Sequence, residues 1–273
     1  MHANQQALTL PMRLCQEFMM LGLIFAVSII ALADIQSAEK AYHNKDYSIA
    51  FSEYKTLAES GNLEAQAKLG AMFYWGLGTK KSDLSAFRWS IEAAKKGHPE
   101  AQNLIGYMYE HGINVAKDIR TAIDWYSKAV EQNHSASQAN LARILLLSDE
   151  YPRDVERGFR LAKLAAEQDN AHGQYLVAQV YLTEHKDFEQ AQKWFISAAE
   201  KGSYQAASLL GKFYFNGEPF AQDRSLSYFW FAIAEALGDP LAKDSQARAK
   251  GYLENTDIEK LDKEVKSWLR ENQ

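Results

Sequence analysis

The sequence has a single cysteine, Cys15, so neither a disulfide framework nor a cysteine-based metal site can be built from it. Proline and glycine are also scarce, at 5 and 15 in 273 residues, and no Ser/Pro/Gly-rich stretch divides the chain. No linker is visible. The 30 Lys and Arg residues are scattered against 35 Asp and Glu, for a net charge of −5, so the basic run that a phosphate backbone calls for is missing. This argues against nucleic acid as a partner. The histidines at 2, 43, 98, 111, 134, 172 and 185 form no i, i+4 pair with a glutamate of the kind that a zinc hydrolase helix uses. No metal and no cofactor is expected. Gly76-Leu77-Gly78 is an isolated Gly-x-Gly that follows a helical segment, and it carries no nucleotide signal.

One apolar run is present. Met19 to Ala33 is fifteen residues long, preceded by Arg13 and closed by Ala31-Leu32-Ala33, a small-x-small pattern that fits a signal-peptidase site. A spanning helix needs about 18–20 apolar residues, so residues 1–33 read as a signal peptide, with an uncleaved membrane anchor as the alternative. Cys15 precedes the run, on the wrong side for a lipid-anchoring cysteine. The expected location is periplasmic or secreted, after cleavage near Ala33. Membrane contact is expected only if the segment stays.

The remainder is rich enough in apolar residues, 47% overall, to bury a large core, and it repeats. Gly61, Gly97, Asn133, Asp169, Gly202 and Gly238 each follow a helical segment, at spacings of 36, 36, 36, 33 and 36. Nine residues past each lies a small residue: Gly70, Gly106, Ala142, Ala178, Gly211 and Ala247. Small residues there let two helices approach closely. Eight residues before the markers stand Trp89, Trp125, Leu161, Trp194 and Trp230, with Ala93, Ala129, Ala165, Ala198 and Ala234 four residues on. That spacing is one helix face and predicts a tryptophan core stripe. Seven residues earlier come capping types, Ser82, Asp118, Asp154, Asp187 and Asp223, with Asp46 at the matching place in the first unit. The recurring aspartates are therefore read as caps and not as paired catalytic carboxylates. His98 and His134 share one repeat position in the inter-repeat turn and are expected to be solvated.

Each unit is a first helix, a loop, a capped second helix and a turn. One such pair cannot bury its own apolar face, whereas stacked pairs can. The pattern predicts an all-α, right-handed αα superhelical solenoid of about seven helix pairs. Residues 34–254 would form the repeats and 255–273 a C-terminal capping helix.

Leu69-Gly70-Ala71-Met72-Phe73-Tyr74-Trp75-Gly76-Leu77-Gly78, followed by Trp89 and Ala93-Ala94-Lys95-Lys96-Gly97, resembles the Sel-1-like repeat family, relatives of the tetratricopeptide repeats. The next unit repeats the pattern as Ile105-Gly106-Tyr107-Met108-Tyr109-Glu110-His111-Gly112 with Trp125-Tyr126, while the units around 142 and 178 lack the loop glycines. The resemblance implies adaptor or scaffold work with a protein or peptide partner and no catalysis. It also implies that first helices line a concave groove. Carried over position by position, the groove residues are Ala71, Tyr74 and Trp75, then Tyr107, Glu110 and His111, then Arg143, and finally Lys212, Phe215 and Asn216. Two other roles stay open: a cell-wall-active or β-lactam-binding enzyme like certain cysteine-rich relatives, and a membrane-held envelope component or host-interaction factor. The first sits badly with a mature chain that has no cysteine.

Overall fold

The computed structural model describes residues 35–272, so the apolar run at Met19 to Ala33 lies outside the described residues. The described chain is all-α, with no strand, and its helical pairs are those of an αα-repeat solenoid. The described residues fall into two compact units, which divide between Lys117 and Asp118.

The first unit holds α1 (35–43), α2 (Tyr47–Glu59), α3 (Leu63–Trp75), α4 (Asp83–Lys95) and α5 (Pro99–His111). The second holds α6 (Ile119–Val130), α7 (Ser135–Leu147), α8 (Val155–Ala166) and α9 (Ala171–Val180), the last prolonged by a π-helical turn at Tyr181–His185. It continues with α10 (Phe188–Glu200), α11 (Tyr204–Asn216), α12 (Arg224–Ala236), α13 (Ala242–Lys250) and α14 (Asn255–Asn272). In chain order the odd-numbered helices are the first members of the repeat pairs, and the even-numbered ones the second.

The second helices start where the capping residues stand. Ser82 accepts from Ser85 N–H, Asp118 from Arg120 and Thr121, Asp154 from Arg157, Asp187 from Gln190, and Asp223 from Leu226. Each such bond satisfies an otherwise orphaned donor and stabilises by about 1 kcal/mol. Asp46 does not follow suit. It precedes α2 with φ −77° and ψ 58°, and its side chain makes no capping bond. The preceding turn, closed by Asp46 N–H to Ala41 O, sets the backbone there instead.

The turns between pairs explain the period. All six markers have positive φ: Gly61, Gly97, Gly202 and Gly238 lie at 92–100°, while Asn133 and Asp169 lie at 60° and 59°. Asn and Asp tolerate the left-handed helical region, and only glycine is at ease at the wider angles. The small residues serve close approach. A Cβ on Gly211 would lie 2.7 Å from the Phe231 ring, and one on Gly70 would collide with Ser90 Oγ and come within 3.1 Å of the Ser90 backbone nitrogen. Ala247 breaks this pattern because it is exposed and Ala249 is the buried residue. The short α13, which begins without a side-chain cap, is displaced in register from the earlier first helices.

The tryptophan stripe is only partly core. The alanines Ala93, Ala129, Ala165, Ala198 and Ala234 are completely buried and Trp230 is 5% exposed, but Trp89, Trp125 and Trp194 are half-buried. The fully buried positions are one residue later, at Ser90, Tyr126, Ala162 and Phe195. Trp125 instead holds Lys128 Nζ 4.1 Å from its ring centroid. An i, i+4 pattern places a residue on a helix face but leaves an uncertainty of one position, about 100° of rotation. In the first unit the core is built on Tyr54, Leu69 and Met72; in the second, Phe195, Leu210 and Trp230 form one cluster, and Ile258 and Leu261 of α14 close another against Tyr228 and Phe231. Burying one such side chain stabilises by about 1.5–3 kcal/mol.

Candidate partner-binding surface

In the first unit, α3 and α5 end alike. Gly76 and Gly112 take the left-handed conformation, and their N–H groups return to Met72 O and Met108 O. Their last residues, Trp75 and His111, are therefore equivalent positions one repeat apart. From Trp75 a continuous string of rings runs to His111. Trp75 packs edge-on against Tyr74 at 4.7 Å between centroids, Tyr74 against Tyr107 at 5.9 Å, and Tyr107 stacks on His111 at 4.1 Å.

Polar contacts fix the string. His111 Nδ1 lies 3.0 Å from the Tyr107 carbonyl, which can only accept, so Nδ1 carries the proton. Burial, and next a hydrogen bond with Tyr107, push the Tyr74 phenol up to about 12. Lys81 Nζ lies 5.2 Å from the Tyr74 ring centroid. Trp75 is 68% exposed and His111 is exposed, Tyr107 and Ala71 are half-buried, and Tyr74 and Glu110 are buried. Of the sequence candidates in this unit, Tyr74, Trp75, Tyr107 and His111 thus form one assembly. Tyr74 underlies it, and Glu110 faces inward.

In the second unit, Arg143 on α7 is half-buried and Lys212 and Asn216 on α11 are exposed. Phe215 is not a free surface ring. It packs edge-on with Tyr252 at 5.8 Å, and the Arg224 guanidinium lies over both, 3.9 Å from Phe215 and 4.3 Å from Tyr252. Tyr252 could have been found in the sequence, since it stands 36 residues after Asn216. Arg224 gave no such signal.

Two repeat features escaped the sequence reading. His98 is 7% exposed and not solvated: its Nε2 donates to Glu64 Oε2 at 2.8 Å, and its Nδ1 lies 3.1 Å from Glu100 Oε2 without an aligned hydrogen bond. It ties the start of α5 to the start of α3. His134, half-buried, caps α7 by accepting from Ser137 N–H. The second feature is a row of buried glutamines, Gln66, Gln102, Gln138 and Gln174, spaced by 36. Gln66 and Gln102 donate to the carbonyls of Ala58 and Ala94, near the C-terminal ends of the preceding helices. Carbonyls there have no partner within their own helix.

Among the described residues no group of three His, Cys, Asp or Glu side chains comes together as a metal site would require. The Sel1 repeat model matches the chain five times, over residues 63–98, 99–134, 135–170, 171–203 and 205–239, more than half its length. The chain belongs to the Sel1 repeat family. Solved structures that align with this chain include the following. A Sel1 repeat protein from Oxalobacter formigenes aligns with a TM-score of 0.67 at 24% identity, over 85% of this chain and 99% of its own. The protective antigen c5321 of uropathogenic Escherichia coli aligns at 0.58 and 21%, over 89% of this chain and 61% of that one. The immunity protein Pa5087 of Pseudomonas aeruginosa aligns at 0.55 and 16%, over 74% and 82%. At these identities the likeness is one of fold. No curated protein is a significant match to the sequence. Sel1 repeats commonly serve as scaffolds for protein interaction.

Proposed function

We propose that this chain is a non-catalytic adaptor that holds a protein or peptide partner on the surface formed by the first helices α3 and α5 of its first unit, and that it works in the periplasm or outside the cell. The observation that carries the proposal is the ring string from Trp75 to His111. A tryptophan 68% exposed is an unusual surface residue, and Trp, Tyr and Arg are the side chains that dominate interface energetics. Packing against Tyr74 orders the indole before any partner arrives, which lowers the entropy lost on binding.

Replacing Trp75 and His111 by Ala and capturing partners from envelope extract of the producing cell tests the reading. The double variant should keep its fold and retain at least tenfold less partner, equivalent to about 1.4 kcal/mol. Undiminished capture would place binding on another face. Export rests on the apolar run that ends at Ala33, and intact mass of the chain recovered from the producing cell tests it. Loss of residues 1–33 supports release into the envelope, and their retention supports a membrane-held component.

A further inference from the structure

The rings between Trp75 and His111 differ in what they offer a partner. The indole N–H of Trp75 has no hydrogen-bond partner among the described residues, and the ring is open to solvent. Tyr74 finds no hydrogen-bond partner there besides Tyr107, and that bond raises the Tyr74 pKa, as donation from a neutral phenol does. The proton left over is therefore that of Tyr107, which is half-buried. His111 spends its Nδ1 proton on the Tyr107 carbonyl, so Nε2 of the neutral ring is an acceptor. The surface thus sets two free donors, an indole N–H and a phenol O–H, against one ring nitrogen that accepts. The string itself brings no charge. Lys81, which lies against the Tyr74 ring, is paired with Asp83 at 3.6 Å, and Glu110 is buried.

A docked peptide brings one N–H and one C=O per residue, and each must find a partner or stay in water. A neutral, donor-rich surface therefore suits an uncharged backbone with fewer donors than acceptors. Proline supplies a carbonyl without an N–H. Proline-rich segments adopt the polyproline II conformation, with about three residues per turn and no internal hydrogen bonds, so their carbonyls are open to an indole N–H or a phenol O–H. Their pyrrolidine rings pack on aromatic faces. Both sides are ordered before they meet, the peptide by its prolines and the protein by its ring contacts, which limits the entropy lost on binding.

Other occupants match this pattern less well. A partner helix has spent its carbonyls on its own hydrogen bonds and would cover both donors without pairing them. An added strand needs a sheet edge, and the described residues contain no strand. A sugar brings hydroxyls that donate as well as accept, and the Tyr107 oxygen already accepts from Tyr74. We infer that the surface from Trp75 to His111 binds a proline-rich segment in the polyproline II conformation, with Trp75 and Tyr107 donating to its carbonyls and the rings packing on its prolines. The inference rests on the adaptor reading and deepens it by naming the class of peptide that α3 and α5 hold.

A random dodecapeptide phage library, panned on the full chain as recovered from the expressing cell, reads that chemistry directly. Selected peptides should be enriched in proline, recurring at a spacing of about three residues. A synthetic copy of the selected consensus should lose binding when its prolines become alanine, and should bind Trp75→Ala about tenfold or more weakly. Trp75→Phe keeps a ring and removes the N–H, so its binding should fall between those of the parent and Trp75→Ala. Leu84→Ala, at an exposed position on α4, should bind as the parent does. Retained helical circular dichroism confirms that each variant folds. Selected peptides without proline enrichment, an amphipathic helical consensus, equal binding to Trp75→Ala, or displacement of the peptide by chito-oligosaccharides would each overturn the inference. If proline is not selected while partner capture still falls in Trp75→Ala/His111→Ala, the adaptor reading stands and this refinement falls.

Discussion

Tyr107 and His111, one turn apart on α5, stack with 21° between their ring planes, and the imidazole also donates to the carbonyl of the same tyrosine. The imidazole is therefore fixed both through its face and through its Nδ1 proton. With Tyr74 bonded to Tyr107 from below, the surface from Trp75 to His111 is a set of ordered rings on a buried base. Surface and base can be separated by mutation. Tyr74→Ala should cost roughly 3 kcal/mol, in the range for truncating a buried aromatic, whereas Trp75→Ala should stay within about 0.5 kcal/mol of the parent. Urea denaturation of the two variants measures both, and equal losses would show that the indole is part of the fold.

The shift of the core by one residue gives a second contrast. Tyr126 is fully buried and Trp125 half-buried against Lys128, so Tyr126→Ala should destabilise by about 3–5 kcal/mol and Trp125→Ala by about half as much or less. The same melts decide it. A larger loss for Trp125 would return the tryptophans to the core.

Much of this fold was legible because the repeat states each local rule several times. Left-handed turns need Gly, Asn or Asp, and second helices need an oxygen at their start, so a 36-residue period exposes both requirements. What one helix face cannot specify is rotation by a single position, so the pattern that points to Trp125 does not distinguish it from Tyr126, the residue that is fully buried. What one repeat position cannot specify is the neighbour it meets: His98 looked like a turn residue because Glu64 and Glu100, its carboxylate neighbours, lie on two different helices. The row of glutamines from Gln66 to Gln174 was visible at the right spacing and had no chemical motif to draw attention to it. The Arg224, Phe215 and Tyr252 stack joins three separate segments, and only the tertiary structure brings them together.

Close helix approach supplies a third test. Gly70→Ala drives a methyl group against Ser90, and overpacking of this kind costs about 1–3 kcal/mol. Ser90 Oγ is buried without a hydrogen-bond partner, so Ser90→Ala removes the colliding atom at little cost. The double variant should recover part of the loss. A double variant no better than Gly70→Ala alone would assign the cost to the backbone contact.

The buried joint at His98 predicts an acid-side pH dependence. The hydrogen bond from His98 is the largest influence on Glu64, burial opposes it, and Lys68 reinforces it; together they lower the carboxyl from 4.5 to about 2. A carboxylate whose folded value is depressed stabilises the fold above its ordinary value and loses that contribution as pH falls through the folded one. The gap in thermal midpoint between the parent and Glu64→Gln should therefore be full above pH 4.5 and close as pH falls toward 2. A gap that stays constant across that window would remove Glu64 from the joint.

The central claim, that partners are held on the first-helix surface at Trp75, is tested most directly by a photo-cross-linking side chain introduced there in the producing cell. The control is the same side chain at Leu84, which is 57% exposed but lies on the second helix α4. The account predicts a discrete cross-linked protein adduct from position 75 and none from position 84. Adducts from position 84 alone, or the same adducts from both, would contradict it.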